Sequence, residues 1–207
     1  IIEKRNTRDH TERLMRYLKI EFKKKILSKN STSIELNGPY EIKPRDIKVA
    51  SDPSSAAFFI VGALIIPESN ITLKNIAINK SRIAFIDVLK KMGGKIRVRK
   101  TKTVSGEEVG DIHVSHSLLN AIEIRASLSP YLIDEYPILS VAASQAEGIT
   151  IMRGLSELRH KESDRIKSII TNLSKIGFKA SSKKDDIFIK GSNKIQLINK
   201  KKNKNIW

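Results

Sequence analysis

"NITLKNIAINKSRIAFIDVLKKMGG", residues 70–94, carries two hydrophobic periods in succession. "NITLKNI" alternates apolar and polar side chains, the period of a strand with one covered face. "RIAFIDVLKKMGG" sets Ile83, Ile86, Leu89 and Met92 on one face of a helix, and Gly93 ends it. The same pair returns downstream. "ITIMRG" (149–154) matches "ITLKNI" (71–76) at an offset of 78 residues. "DRIKSIITNLSKIGFKA" (164–180) lines Ile166, Ile169, Ile170, Leu173 and Ile176 along one face and ends at Gly177, 84 residues after Gly93.

Working outward, each strand follows an apolar helix. In "ASDPSSAAFFIVGALIIP" (50–67), Asp52 suits a helix cap and Pro53 its first position, so residues 56–66 are expected to be a buried helix. In "DEYPILSVAASQAEG" (134–148), Asp134 lies near the cap and Pro137 is tolerated in the first turn. "KIRVRK" and "DIHVSH" are expected strands around a turn at Gly106; "IEIRA" and "IFIKG" are expected strands of the second copy. Residues 51–190 therefore hold two copies of one unit: buried helix, strand, surface helix, two strands. The fold class expected is α/β, with α+β layers of helix-covered sheet. The units run about 51–120 and 121–191, with a polar tail over 192–207 that ends at an isolated Trp207.

Residues 1–50 differ. "HTERLMRYLKIEF" spaces Leu14, Met15, Leu18 and Ile20 as a helix, and "SIELNGPYEIKP" is expected to form short strands turning at Asn37-Gly38-Pro39. The chain starts at Ile1, and both ends read as cut, so a piece of a longer protein is expected.

Composition narrows the function. Of 207 residues, 40% are apolar, enough for one large or two small cores. No apolar run reaches a membrane span, and the charged start "IIEKRNTRDH" does not read as a signal peptide; a cytoplasmic protein fits. Cysteine is absent, which excludes disulfides, thiolate chemistry and cysteine zinc sites. His10, His113, His116 and His160 lack ligand spacing, so no metal is assigned. The net charge of +17 suits an anionic partner, yet the lysines are spread along the chain without a nucleic-acid motif. A lysine-rich composition with solvated surfaces is the simpler account of the charge, which supports an anionic ligand without naming one.

The charge is densest in "ELRHKESDR" (157–165), which opens the second surface helix with Ser163 as its expected cap. Helix N-termini present free N–H groups and a partial positive charge. Several aimed at one spot, with Arg159, Lys161 and Arg165, would make an anion pocket. The alternative is that Asp52 and Asp134 are ordinary caps, and that Lys161, Glu162, Asp164 and Arg165 form a solvated, self-paired first turn.

Four strings together, "TRDHTERLM" (7–15), "SDPSSAAFFIVGAL" (51–64), "LIDEYPILSVAASQAEG" (132–148) and "ELRHKESDRI" (157–166), resemble the 5-enolpyruvylshikimate-3-phosphate (EPSP) synthase family in order and spacing. The resemblance runs to about Gly191, with His160 where the family usually has valine. It implies an inside-out α/β barrel of repeated helix-covered sheet units, two domains of three units each. Residues 1–50 would end one domain, and 51–207 would hold most of two units of the other. It also implies a transferase that moves the enolpyruvyl group of phosphoenolpyruvate to the 5-hydroxyl of shikimate 3-phosphate. Phosphate is released, on the route to chorismate and the aromatic amino acids.

By the same resemblance Asp134 is the base and bonds the shikimate hydroxyls. Glu162 gives and takes the proton of the phosphoenolpyruvate methylene carbon. Lys161 lies between the two substrates, Arg165 holds phosphoenolpyruvate, and Arg8 reaches the shikimate 3-phosphate. Glu135 neighbours Asp134, but the family pattern favours Asp134. No cofactor, nucleic acid or membrane is implied, and the intact protein would be a monomer. The family's upstream lysine–arginine motif, "SAQ"-like motif and later "DHR" motif are not found in this chain, so the fragment alone is expected to be inactive. The alternatives are a UDP-sugar enolpyruvyl transferase of the same fold, which usually carries a loop cysteine, and a non-catalytic basic module binding anions or nucleic acid.

Overall fold

The computed structural model describes residues 1–3, 8–29 and 31–192; most of the expected tail lies outside the described residues. The first part comprises β1 (Ile2–Glu3), α1 (His10–Tyr17), β2 (Lys23–Ser28) and β3 (Ser31–Glu35). Its strands form an antiparallel sheet in the order β1-β3-β2. β2 is not foreshadowed by any period: all six residues of "KKKILS" are exposed.

The second part is longer. It runs α2 (Pro53–Ile65), β4 (Asn70–Ala77), α3 (Ala84–Lys91), β5 (Lys95–Val104), β6 (Glu107–Ser115), β7 (Leu119–Asn120), β8 (Glu123–Ile124) and α4 (Ser129–Leu132). It continues with α5 (Tyr136–Ser144), β9 (Ala146–Met152), α6 (Arg165–Lys175), β10 (Lys179–Lys183) and β11 (Asp186–Gly191). One sheet has the order β4-β6-β5 and the other β9-β11-β10, antiparallel throughout. On the far side of β9 lie β7 and β8, both parallel to it. The matching place beside β4 is taken by Ser51, bridged in parallel to Ile76. The two sheets thus share one connectivity.

The alternation in β6 shows how the sheets close the core: Ile112 and Val114 are fully buried, while His113 between them is turned to the other face. α3 buries Phe85, Ile86, Val88 and Leu89, and α6 buries Ile166, Ile169 and Leu173, each with polar residues outward. Gly93 and Gly177 follow with φ of 100° and 93°, a conformation that favours glycine. α2 and α5 pack into the same cluster through Ile60, Leu64, Tyr136 and Leu139. Gly191 is required for its size: a Cβ there would meet the carbonyl oxygens of Ala143 and Ala146.

Several expectations change. α2 is not buried all round: Ala57, Ile60, Val61 and Leu64 face the core, but Phe58 and Phe59 are 62% and 65% exposed on the opposite side. The apolar face expected on α1 is only partly covered, with Met15 and Leu18 half-buried. Leu14 is 36% exposed, and the buried member of that helix is Glu12, which pairs with Lys24 at 2.8 Å. Asn37-Gly38-Pro39 does not turn one strand into another, since residues 36–50 form no strand. Pro39 and Pro44 offer no N–H to a ladder. That segment is held by tertiary bonds instead: the Tyr17 hydroxyl to the Asp46 carbonyl (2.7 Å), the Tyr40 hydroxyl to the Glu21 carbonyl (2.8 Å) and the Lys48 N–H to Ser105 Oγ (2.9 Å). "IEIRA" contributes a strand of only two residues, Glu123–Ile124.

Candidate active site

The starts of α2, α5 and α6 supply the polar groups of one region. At α2, the Asp52 carboxylate accepts from the N–H groups of Ser54 (3.3 Å) and Ser55 (2.9 Å), as a capping aspartate does. Arg82, from the turn between β4 and α3, donates to Asp52 Oδ1 and Ser54 Oγ, both at 2.9 Å. Ser54 Oγ in turn donates to Glu135 Oε1 at 2.5 Å. The starts of α2 and α5 are therefore tied through side chains 81 residues apart.

Asp134 does not cap α5. The cap position is Glu135, and its side chain makes no capping bond. Asp134 faces outward, where Arg8 Nη2 donates to its Oδ2 at 2.7 Å and Arg165 Nη1 stands 3.6 Å from its Oδ1. Arg165 is the first residue of α6, and its Nη2 donates to Glu162 Oε2 at 2.8 Å. Arg8, Asp134, Arg165 and Glu162 thus form one unbroken chain of contacts. Lys161 lies close enough for its charge to act on Asp134, while its ammonium is 3.6 Å from Glu157.

The cap of α6 is Asp164 rather than Ser163: its Oδ1 accepts from the Lys167 N–H at 3.0 Å, because the helix begins one residue later than expected. Arg159 is not among the cations around Asp134. It is held by Asp185 (3.0 Å), by Asp164 (3.1 Å) and by the Lys184 carbonyl. His160 is exposed.

The carboxyl groups differ in electrostatics. Partial burial pushes Asp134 up, but the Arg8 hydrogen bond and the charges of Arg8, Lys161 and Arg165 outweigh it and hold the group below the usual aspartate value. Glu162 is also held low, by a backbone N–H and then by Arg165. Glu135 goes the other way. Only 2% exposed, it is raised by burial and by the Asp134 charge, against the opposing effects of Ser54 and Arg82. Two neighbouring carboxyls are thus split: one solvent-facing and ionised, one buried and drawn toward its neutral form.

Sequence reasoning singled out Asp134, Glu162, Arg8, Lys161 and Arg165. It passed over Arg82 and Ser54 and set Glu135 aside. The available signal was the polar start "SDPSS"; nothing in the local pattern marks Arg82. Among the described residues, no helix is long and apolar enough to cross a membrane, and no group of three or more His, Asp or Glu is gathered as metal ligands.

Comparison with known proteins bears on this arrangement. The family model for EPSP synthase (3-phosphoshikimate 1-carboxyvinyltransferase) matches residues 2–202. The 3-phosphoshikimate 1-carboxyvinyltransferase of Sphingopyxis alaskensis is 42% identical over 93% of this chain and 43% of its own length. That of Carboxydothermus hydrogenoformans is 41% identical over 94% of this chain and 44% of its own. The chain therefore spans less than half the length of these relatives. The solved EPSP synthase of Acinetobacter baumannii superposes with a TM-score of 0.81 at 38% identity, covering 91% of this chain and 41% of that one. The enolpyruvyl transferase NikO from Streptomyces tendae shares the fold, with a TM-score of 0.54 at 14% identity over 83% of this chain and 37% of that one.

Proposed function

The chain belongs to the EPSP synthase family, and on that premise we propose that it forms the part of a longer enzyme that carries both proton-transfer carboxylates for enolpyruvyl transfer. Phosphoenolpyruvate and shikimate 3-phosphate are the substrates. Residues 1–50 would end one domain, and 51–120 and 121–191 would be two units of the other. The intact enzyme would act in the cytoplasm as a monomer, without a cofactor.

The observation that carries this reading is the chain Arg8–Asp134–Arg165–Glu162. Its two arginines, with Lys161 close enough for its charge to act on Asp134, lie among carboxylates that need a reason to be gathered. Anionic substrates would compete with those carboxylates for Arg8, Lys161 and Arg165. Arg8 and Lys161 suit the phosphate of shikimate 3-phosphate, and the planar fork of Arg165 suits the carboxylate or phosphate of phosphoenolpyruvate. Releasing Asp134 from Arg8 leaves a carboxylate beside the shikimate 5-hydroxyl. Its pKa then rises toward that of a working base, because the charge that held it down is shared with phosphate. Releasing Glu162 from Arg165, next to the negative phosphoenolpyruvate, favours its protonated form.

The chemistry follows. Asp134 takes the hydroxyl proton as the oxygen bonds to carbon 2 of phosphoenolpyruvate, and Glu162 gives its proton to carbon 3. The product of this addition is a tetrahedral ketal phosphate. Glu162 then takes a proton back from carbon 3 as the C–O bond to phosphate breaks and Asp134 returns its proton to the departing phosphate, which restores the double bond in the product and both carboxyls to their starting forms. The test is phosphate release by the full-length enzyme. It should require both substrates, and Asp134→Asn should lower kcat by roughly 10²- to 10⁴-fold, the usual scale for a general base. Undiminished turnover in that variant would remove Asp134 from the mechanism.

A further inference from the structure

We infer that the turn between β4 and α3 sets the spacing between Arg8 and Asp134, with Asn79 and Arg82 as positioning residues; this rests on the reading that Arg8 and Asp134 receive shikimate 3-phosphate. Neither residue bonds Arg8 or Asp134 directly. Asn79 instead holds Asp9, the chain neighbour of Arg8, and Arg82 holds Ser54, which in turn holds Glu135, the chain neighbour of Asp134.

Asn79 is 2% exposed, and an amide so buried is expected to have its bonds filled. Its Nδ2 donates to Asp9 Oδ1 at 2.7 Å and, more weakly, to Glu107 Oε2 at 3.4 Å. Its Oδ1 accepts from the Ser81 N–H (3.0 Å) and hydroxyl (2.8 Å). Asp9 is the cap residue of α1, yet its side chain makes no capping bond. The carboxylate is committed to Asn79 and to Arg13 Nε at 2.8 Å. Such a use forgoes the capping bond that an aspartate at this position would give the helix. What it gains is a fixed joint between the start of α1 and the β4–α3 turn, reinforced by His10 Nδ1 and Glu107 Oε1 at 2.6 Å. Arg8 immediately precedes Asp9 in the chain.

Three residues beyond Asn79, Arg82 grips Asp52 and Ser54, and Ser54 grips Glu135. Asp134 immediately precedes Glu135 in the chain. The Asn79 carbonyl accepts from the N–H groups of Arg82 (2.8 Å) and Ile83 (3.1 Å), so the turn is closed on itself and its two grips move together. Consecutive Cα atoms are about 3.8 Å apart. A shift of the turn therefore reaches Arg8 through Asp9 and, by way of Ser54 and Glu135, Asp134. Arg165, Glu162 and Lys161 are carried by the segment entering α6, which the turn does not hold.

The test uses the full-length enzyme with Asn79→Ala and, as a milder change, Ser54→Ala. Misplacement of a binding group by about 1 Å can cost on the order of 10²-fold. In the folded Asn79→Ala protein, shikimate 3-phosphate should bind at least ~10-fold more weakly, while KM for phosphoenolpyruvate at saturating shikimate 3-phosphate stays within about twofold. Ser54→Ala should show the same split with a smaller loss. A crystal structure of either variant should show the Arg8–Asp134 separation lengthened from 2.7 Å. A purely structural role would lower Tm and leave both constants of the folded protein unchanged. Unchanged shikimate 3-phosphate affinity and an unchanged Arg8–Asp134 pair in the variants would overturn the inference. If the parent enzyme does not use the two substrates at all, the proposed function fails, and the Arg8–Asp134 separation still decides the positioning role.

Discussion

Replacing Arg165 with lysine in the full-length enzyme separates an anion grip from a surface ion pair. Arg165 uses two nitrogens for two different carboxylates: Nη2 at 2.8 Å from Glu162 and Nη1 at 3.6 Å from Asp134. Its side chain is only 25% exposed, so the fork is well anchored. Lysine keeps the charge and loses the fork. If the fork grips phosphoenolpyruvate, one charge-assisted hydrogen bond is lost, worth roughly 1.5–3 kcal/mol. At about 1.4 kcal/mol per factor of ten, phosphoenolpyruvate use falls roughly 10- to 140-fold. If Arg165 only pairs with Glu162, which is 80% exposed, the exchange costs about 0–1 kcal/mol and changes kinetics less than about fivefold. The assay is kcat/KM for each substrate with the other saturating. A large loss for phosphoenolpyruvate and a small one for shikimate 3-phosphate is expected. Equal losses for both, or none for either, would refute the assignment.

Glu162→Gln in the same enzyme should lower kcat by roughly 10²- to 10⁴-fold and stop solvent exchange of the phosphoenolpyruvate methylene hydrogens; exchange at the parent rate would exclude Glu162 as the acid. Glu135 has a folded pKa above its ordinary 4.5, so its contribution to stability is complete below that pH and is lost as pH rises through the folded value. Glu135→Gln keeps an acceptor for Ser54 and does not titrate, so its stability relative to the parent should improve upward from pH 4.5; parallel denaturation curves between about pH 4 and 8 would contradict the raised pKa. Gly191→Ala should destabilise the protein by at least about 1–3 kcal/mol, since the added Cβ meets the backbone carbonyls of Ala143 and Ala146, which cannot rotate away. An unchanged denaturation midpoint would mean that β11 can shift freely against α5.

Local order was legible wherever one residue's surroundings are set by its near neighbours. The apolar spacing of α3 and α6, the stops at Gly93 and Gly177, and the Asp52-Pro53 start of α2 each depend on a few consecutive residues. Duplication was legible for the same reason, because two copies of a period need no knowledge of their contacts. The motif strings around Asp134 and Glu162 marked where charge gathers. Strand β2 was not legible: its lysines carry no alternation, and its place comes only from pairing with β3.

Only the folded chain decided which charges meet. Arg8 and Asp134 are 126 residues apart in sequence and 2.7 Å apart in space. Arg159 and Arg165 look equivalent in "ELRHKESDR", yet one is spent on Asp185 and the other reaches Asp134. The split between Asp134 and Glu135 is likewise tertiary, since burial beside Ser54 raises one carboxyl while Arg8 lowers the other. The physical reason is common to all three. Periodicity records which face of an element is apolar, and so settles helix, strand and repeat from the sequence alone. Coulombic and hydrogen-bond partners depend on separations of a few ångströms between distant segments, and those exist only once the sheets have packed.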